Sequence, residues 1–187
     1  MTDDRHWFHC TTHTYGAWLY GDPRGFRTRH HREHVDGDYK HRPPAGTYDE
    51  ELARSRRLLK QPPVVLPPAW RAVVGEAFVE RLIQSGAQVL ALSCSGQHVH
   101  LLAKTPGGEV PRQWVGRAKM HATFVLRRHG WVGEVWAVRC KVIPVRDRRH
   151  QLNAFNYIKD HAAEGAWVWD FRDHQSPESP GPAGPGL

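Results

Sequence analysis

The sequence is short of cysteine, of acidic residues relative to basic ones, and of long apolar runs. Its three cysteines, Cys10, Cys94 and Cys140, stand far apart with no CxxC pair. That spacing suggests neither a disulfide framework nor a zinc ribbon and fits a reducing, intracellular setting. No stretch approaches the ~20 apolar residues of a membrane span. Asp3, Asp4 and Arg5 near the start have no apolar run behind them, so neither secretion nor membrane insertion is expected and the cytoplasm is the expected location. No internal repeat is visible.

What is present is positive charge. Lys and Arg number 26 against 19 Asp and Glu, giving +7 before any of the 14 His is protonated, which suits a polyanionic partner such as nucleic acid or serves solubility alone. The 187 residues, 40% of them hydrophobic, suffice for one compact domain. We expect that domain over residues 1–174, with a basic insertion at about 16–60. Residues 175–187, rich in Pro, Gly and Ser, have the composition of a disordered tail.

Residues 6–14 are aromatic and β-branched and predict a first strand, after which Gly16, Gly21, Pro23 and Gly25 interrupt regular structure. From Arg24 to Arg42 the chain carries Arg27, Arg29, Arg32 and Lys40 with few aliphatic residues, either a phosphate-contacting loop or a solvated insertion. Thr47 and Glu50 have the capping-box spacing for a helix that ends before Pro62. Val74, Phe78 and Leu82 recur every four residues within 69–85, a second helix closed by Gly86. Residues 88–94 and 97–104 are two apolar runs joined by Ser95 and Gly96, the pattern of a β-hairpin. A helix from Pro111 to about Arg128 should bury Trp114, Ala118, Ala122 and Val125. A strand over 134–143 should turn Trp136, Val138, Cys140 and Val142 inward and Arg139 and Lys141 outward. A last helix runs from about Arg148 to Ala163. This order predicts an α+β sandwich, an antiparallel sheet with helices packed on it.

Residues two apart on a strand face the same way, so His98 and His100 stand side by side while Val99, Leu101 and Ala103 face a core. Two neutral imidazoles so placed can hold two positions on a divalent ion. By the same parity Lys104 lies on the histidine face. At ~100° per residue the last helix gathers Leu152, Phe155, Ile158 and Ala162 on one side, with Tyr157, His161 and His150 roughly 130° away. Tyr157 and His161 are one turn apart, so a helix lying across the hairpin brings His161 to the histidine pair beside the tyrosine hydroxyl.

The segment GQHVHLLAK at 96–104 resembles the HUH signature of single-tyrosine transposases of the insertion-sequence and REP-associated kind. Those families also carry a tyrosine followed by Ile on a late helix, as Tyr157 and Ile158 do here. Four positions after it they place a polar metal-binding residue, often Gln or Asn, where this chain has His161. The resemblance covers about 69–165 and, more loosely, the first strand. It implies a ferredoxin-like or RRM-like sheet, a divalent cation such as Mg²⁺ or Mn²⁺, single-stranded or hairpin DNA as partner, and often a homodimer. It further implies Tyr157 as the nucleophile that forms a 5′-phosphotyrosine, with His98, His100 and His161 as ligands. Lys104, Arg112, Lys119, Arg139 and Lys141 are the candidate phosphate contacts. Two other readings stay open: a DNA-binding protein that does not cut, and a hydrolytic nuclease in which water attacks and Tyr157 is incidental.

Overall fold

A computed structural model describes residues 6–24, 26, 44–105 and 109–172. Most of the basic run at 24–42 and the tail beyond Gln175 lie outside the described residues. The elements are β1 (Trp7–Thr14), α1 (Asp49–Arg57), α2 (Pro68–Gln84), β2 (Gln88–Cys94), β3 (His98–Lys104), α3 (Pro111–Arg128), β4 (Trp136–Pro144), α4 (Arg148–Asp160), a 3-10 turn (His161–Glu164) and β5 (Trp167–Asp170). The strands form one antiparallel sheet in the order β4-β1-β3-β2-β5. Its first four strands, with α2 and α3 as the crossovers, have the order of a ferredoxin-like βαββαβ unit, as the resemblance implies.

The sheet separates two cores. On one face α2 and α3 bury Val74, Phe78, Leu82, Trp114 and Leu126 against Cys10, Leu92, Val99 and Leu101. Each such side chain contributes about 1.5–3 kcal/mol on burial. On the other face, where the even-numbered residues of β3 project, Ala154 and Ile158 of α4 pack on Ala91 and Leu102. That second core is small because α4 lies over β2, β3 and β5, towards one side of the sheet.

Several local expectations are corrected. Asp49, not a boxed Thr47, begins α1: Tyr48 is the N-cap without a side-chain bond, and Thr47 donates instead to the Pro44 carbonyl at 2.7 Å. The hairpin turn sits one residue later, since the Ser95 N–H donates to the His98 carbonyl at 2.9 Å and leaves Gly96 and Gln97 as the connection. In α3 it is Leu126 that is fully buried, with Val125 only partly so. Val138 is 97% exposed. The cause is a bulge: Thr12 pairs with Cys140 but Thr14 with Trp136, so β4, at the edge of the sheet, has extra residues there. The Lys119 ammonium donates to the carbonyls of Ala137 and Val138 within that bulge.

The buried face of α4 is Gln151, Ala154 and Ile158, continued by His161, whereas Leu152 is half exposed. The stripe is rotated from the purely apolar one: polar Gln151 and His161 turn inward, His161 beside His98 and His100. The α-helix also stops earlier than expected, at Asp160, and tightens into the 3-10 turn. Gly165, at φ +76, then reverses the chain into β5, which was not anticipated.

Candidate active site

Strand parity builds the floor of the site. Thr11 pairs with His100 and His13 with His98, so β1 and β3 present His9, Thr11, His13, His98 and His100 on the face that α4 crosses. From α4 and its terminal turn come Tyr157 and His161. The sequence-predicted ligands are brought together: one nitrogen from each of His98, His100 and His161 lies within 4.8 Å of the others. The Tyr157 ring centroid is 4.7 Å from that of His161 and 5.2 Å from that of His100, both edge-on.

Hydrogen bonds orient two of the three imidazoles. His161 Nδ1 donates to the Tyr157 carbonyl at 2.8 Å; a carbonyl only accepts, so the lone pair is on Nε2. His100 Nδ1 lies 3.1 Å from Thr11 Oγ1 and 3.2 Å from His9 Nε2, which directs its Nε2 the other way. Binding of one ring nitrogen while the other is held by a neighbour is the usual arrangement around a metal.

Electrostatics favour the neutral form of four of these histidines. Burial, followed by the mutual repulsion of His98, His161, His9 and His13, pushes His100 down to about 2. His98 is also lowered, by burial and then by His161, with Glu164 opposing. His9 falls to about 4 through burial and the charges of His150, Lys141 and His161, and His13 to about 4 through burial, His98, Arg24 and Lys119. Neutral imidazoles are the form that ligates. The Tyr157 hydroxyl shifts the other way: burial and the Glu164 carboxylate raise it above its ordinary value, so the resting phenol is protonated.

These groups open onto a cavity of about 550 Å³. Tyr157 and the three candidate ligand histidines line it together with His13, Trp18, Arg24 and Gln97. The roles of His9, Thr11, His13 and Trp18 were not foreseen. The alternation of His9, Thr11 and His13 along β1 carried the same signal as that of His98 and His100.

The predicted basic residues are dispersed. Lys141 lies opposite Thr11 and is exposed, as is Arg139. Lys104 closes β3 opposite Trp7, on the histidine face but at the far end of the strand. Arg112 and Lys119 belong to α3, in the layer behind the sheet, with Lys119 committed to the β4 bulge. Among the described residues no helix is long and apolar enough to cross a membrane.

No protein-family model matches the chain, and no curated protein matches it in sequence. Among solved structures the chain is similar to a REP-associated tyrosine transposase bound to a REP hairpin. The TM-score is 0.48 and the identity 12%, over 86% of this chain and 68% of that one. It is also similar to a provisionally assigned transposase from Deinococcus radiodurans R1, at a TM-score of 0.40 and 15% identity over 83% of this chain and 90% of that one.

Proposed function

We propose that the protein is a metal-dependent endonuclease and strand transferase for single-stranded or hairpin DNA, a transposase acting through a 5′-phosphotyrosine at Tyr157. The observation that carries this reading is the tyrosine ring beside a three-histidine cluster on one open cavity. The HVHLL segment and the Tyr-Ile pair on α4 support the same assignment from sequence.

The donor set fits a cation: three imidazoles, two of them oriented by their neighbours, leave room for solvent or phosphate oxygens. Nitrogen-only donors favour a first-row transition ion, Mn²⁺ among them, over Mg²⁺, which prefers oxygen. When bound, such an ion supplies Lewis-acid stabilisation of charge on the phosphate oxygens. The chain's own residues do the rest. Tyr157 Oη forms a bond to phosphorus as the bond to the 3′ oxygen breaks; the phenol gives up its proton and the leaving 3′ oxygen gains one. Because burial and Glu164 favour the neutral phenol, that proton leaves during attack rather than before it. The phosphoester is conserved in the adduct, so a 3′-hydroxyl reverses the step and joins DNA without a nucleotide cofactor.

Lys104, Arg139 and Lys141 are proposed to hold backbone phosphates on the sheet side of the site, and Arg112 those of flanking DNA, whereas Lys119 is occupied by the carbonyls of the β4 bulge. A homodimer is compatible with this scheme, since Tyr157 and His161 travel on one segment in any assembly.

The deciding experiment incubates wild type and Tyr157→Phe with Mn²⁺ and a mixed pool of labelled single-stranded hairpins, then runs denaturing gels. Label attached to the wild type alone supports the proposal. Cleavage without attachment in both proteins overturns it in favour of water as nucleophile, and binding without cleavage in favour of a non-cutting DNA-binding protein.

A further inference from the structure

Another part of the lining of the same cavity, Trp18 with Arg24, is built more firmly than its burial requires. Trp18 is 49% exposed, yet the Arg24 guanidinium stands 4.8 Å from its ring centroid and is itself fixed from three directions. Arg24 Nε and Nη2 donate to the two oxygens of Asp22 at 2.9 and 2.6 Å, Nη2 also donates to the Ala17 carbonyl at 2.6 Å, and Nη1 to Gln97 Oε1 at 3.2 Å. Asp22 is buried, so it neutralises the guanidinium and consumes donors that a phosphate-binding arginine would keep free.

The backbone under Trp18 is held as well. Tyr15 N–H donates to the Val135 carbonyl at 2.8 Å, Val64 N–H to the Tyr15 carbonyl at 2.8 Å, and Ala17 N–H to the Thr14 carbonyl at 3.2 Å. Gly16 takes φ +71, and a Cβ there would press on Pro63. A tryptophan serving only as packing would be covered, whereas an indole pre-set at a cavity wall lowers the ordering cost of a ligand that stacks on it.

We propose that Trp18, backed by Arg24, is the stacking platform for one unpaired nucleobase next to the phosphodiester held at the histidine cluster. This rests on reading that cluster as the phosphodiester site. The connection is short: the Trp18 ring meets His13 edge-on at 5.9 Å, and His13 lies 6.2 Å from His98. Every base has a π-face, so the platform takes any base, but only one that has left its own stack. It therefore discriminates single-stranded from duplex DNA at the site without reading sequence.

The test uses the non-cutting Tyr157→Phe protein with Mn²⁺ and short labelled single strands, intact or carrying one abasic nucleotide at each position in turn, read by fluorescence anisotropy. Adding Trp18→Ala should weaken binding of intact strands about 5- to 150-fold. Trp18→Phe should retain most of the affinity. One abasic position should reproduce the loss in the Trp18 protein and cost nothing further once Trp18 is Ala. Mn²⁺ titration, unchanged in all variants, reports an intact fold. Equal affinity with and without Trp18, a loss independent of the base, or no binding of single strands would overturn the platform. If base-dependent binding through Trp18 persists while wild type forms no tyrosine adduct, the covalent reading fails and the platform stands. Adduct formation with unaltered binding in Trp18→Ala gives the reverse.

Discussion

His161 donates its Nδ1 proton to the carbonyl oxygen of Tyr157, one turn earlier, at 2.8 Å. The third candidate ligand is thus aimed by the backbone of the candidate nucleophile, and the two groups cannot be displaced independently.

His161→Ala should lower affinity for Mn²⁺ by about 100-fold or more, at or beyond the upper end of what losing a supporting hydrogen bond costs. Tyr157→Phe should leave affinity unchanged, because the bond uses the main-chain carbonyl. Titration calorimetry on both variants checks this, and weakened binding in Tyr157→Phe would mean the phenol itself contributes to the site.

Thr11→Val and His9→Phe each remove a partner of His100 Nδ1 without touching a ligand. The expected cost is about 10- to 100-fold in metal affinity with little change in melting temperature. A cobalt absorption titration would expose the effect, and a wild-type curve for both variants would show that sheet packing alone orients His100.

Gly75 of α2 is covered by the Trp167 ring, and a Cβ there would land inside it. Gly75→Ala should therefore cost about 1–3 kcal/mol through overpacking. Urea unfolding measures it; a stability equal to wild type would mean that β5 shifts to make room.

Asp170 is buried, bonded to Arg172 and to Lys159 Nζ at 2.6 Å, and these partners, Arg172 foremost, hold its carboxyl well below the usual value of 3.8. With the folded value depressed, the stabilisation is present above 3.8 and is lost as pH falls below it. The neutral histidines have depressed values too, but their contribution begins to fade at pH 6.5, before that of Asp170. Thermal melts across pH should thus show two descending limbs. The lower one should be absent in Asp170→Asn, and its persistence there would assign it to another carboxylate.

The hairpin, the parity of His98 and His100, and the stripe of α2 were legible because each depends on near-neighbour periodicity. The face of α4 was not, because its register is set by packing on β2, β3 and β5, which come from separate parts of the chain, and polar Gln151 and His161 fill positions that an apolar stripe would give to Leu152 and Ala162. Val138 followed the alternation of a strand until a bulge at the sheet edge broke it. The contribution of His9 was hidden for a related reason: its partner His100 is 91 residues away, and only the β1–β3 pairing joins them. The four residues of β5 are too few to show a period, and what marks them as a strand is pairing with β2.

That last strand works as a clasp. Asp170, at its end, grips Lys159, two residues beyond Tyr157, while Trp167 and Trp169 of the same strand anchor in the opposite core. A chain ending at Gly165 would retain every candidate ligand and the tyrosine, yet the segment that carries Tyr157 and His161 would lose its ion pair to Asp170 and keep only the small core of Ala154 and Ile158. The shortest fragment able to keep its reactive groups in register therefore extends through Asp170, so an apparently dispensable terminus sets the boundary of the working unit.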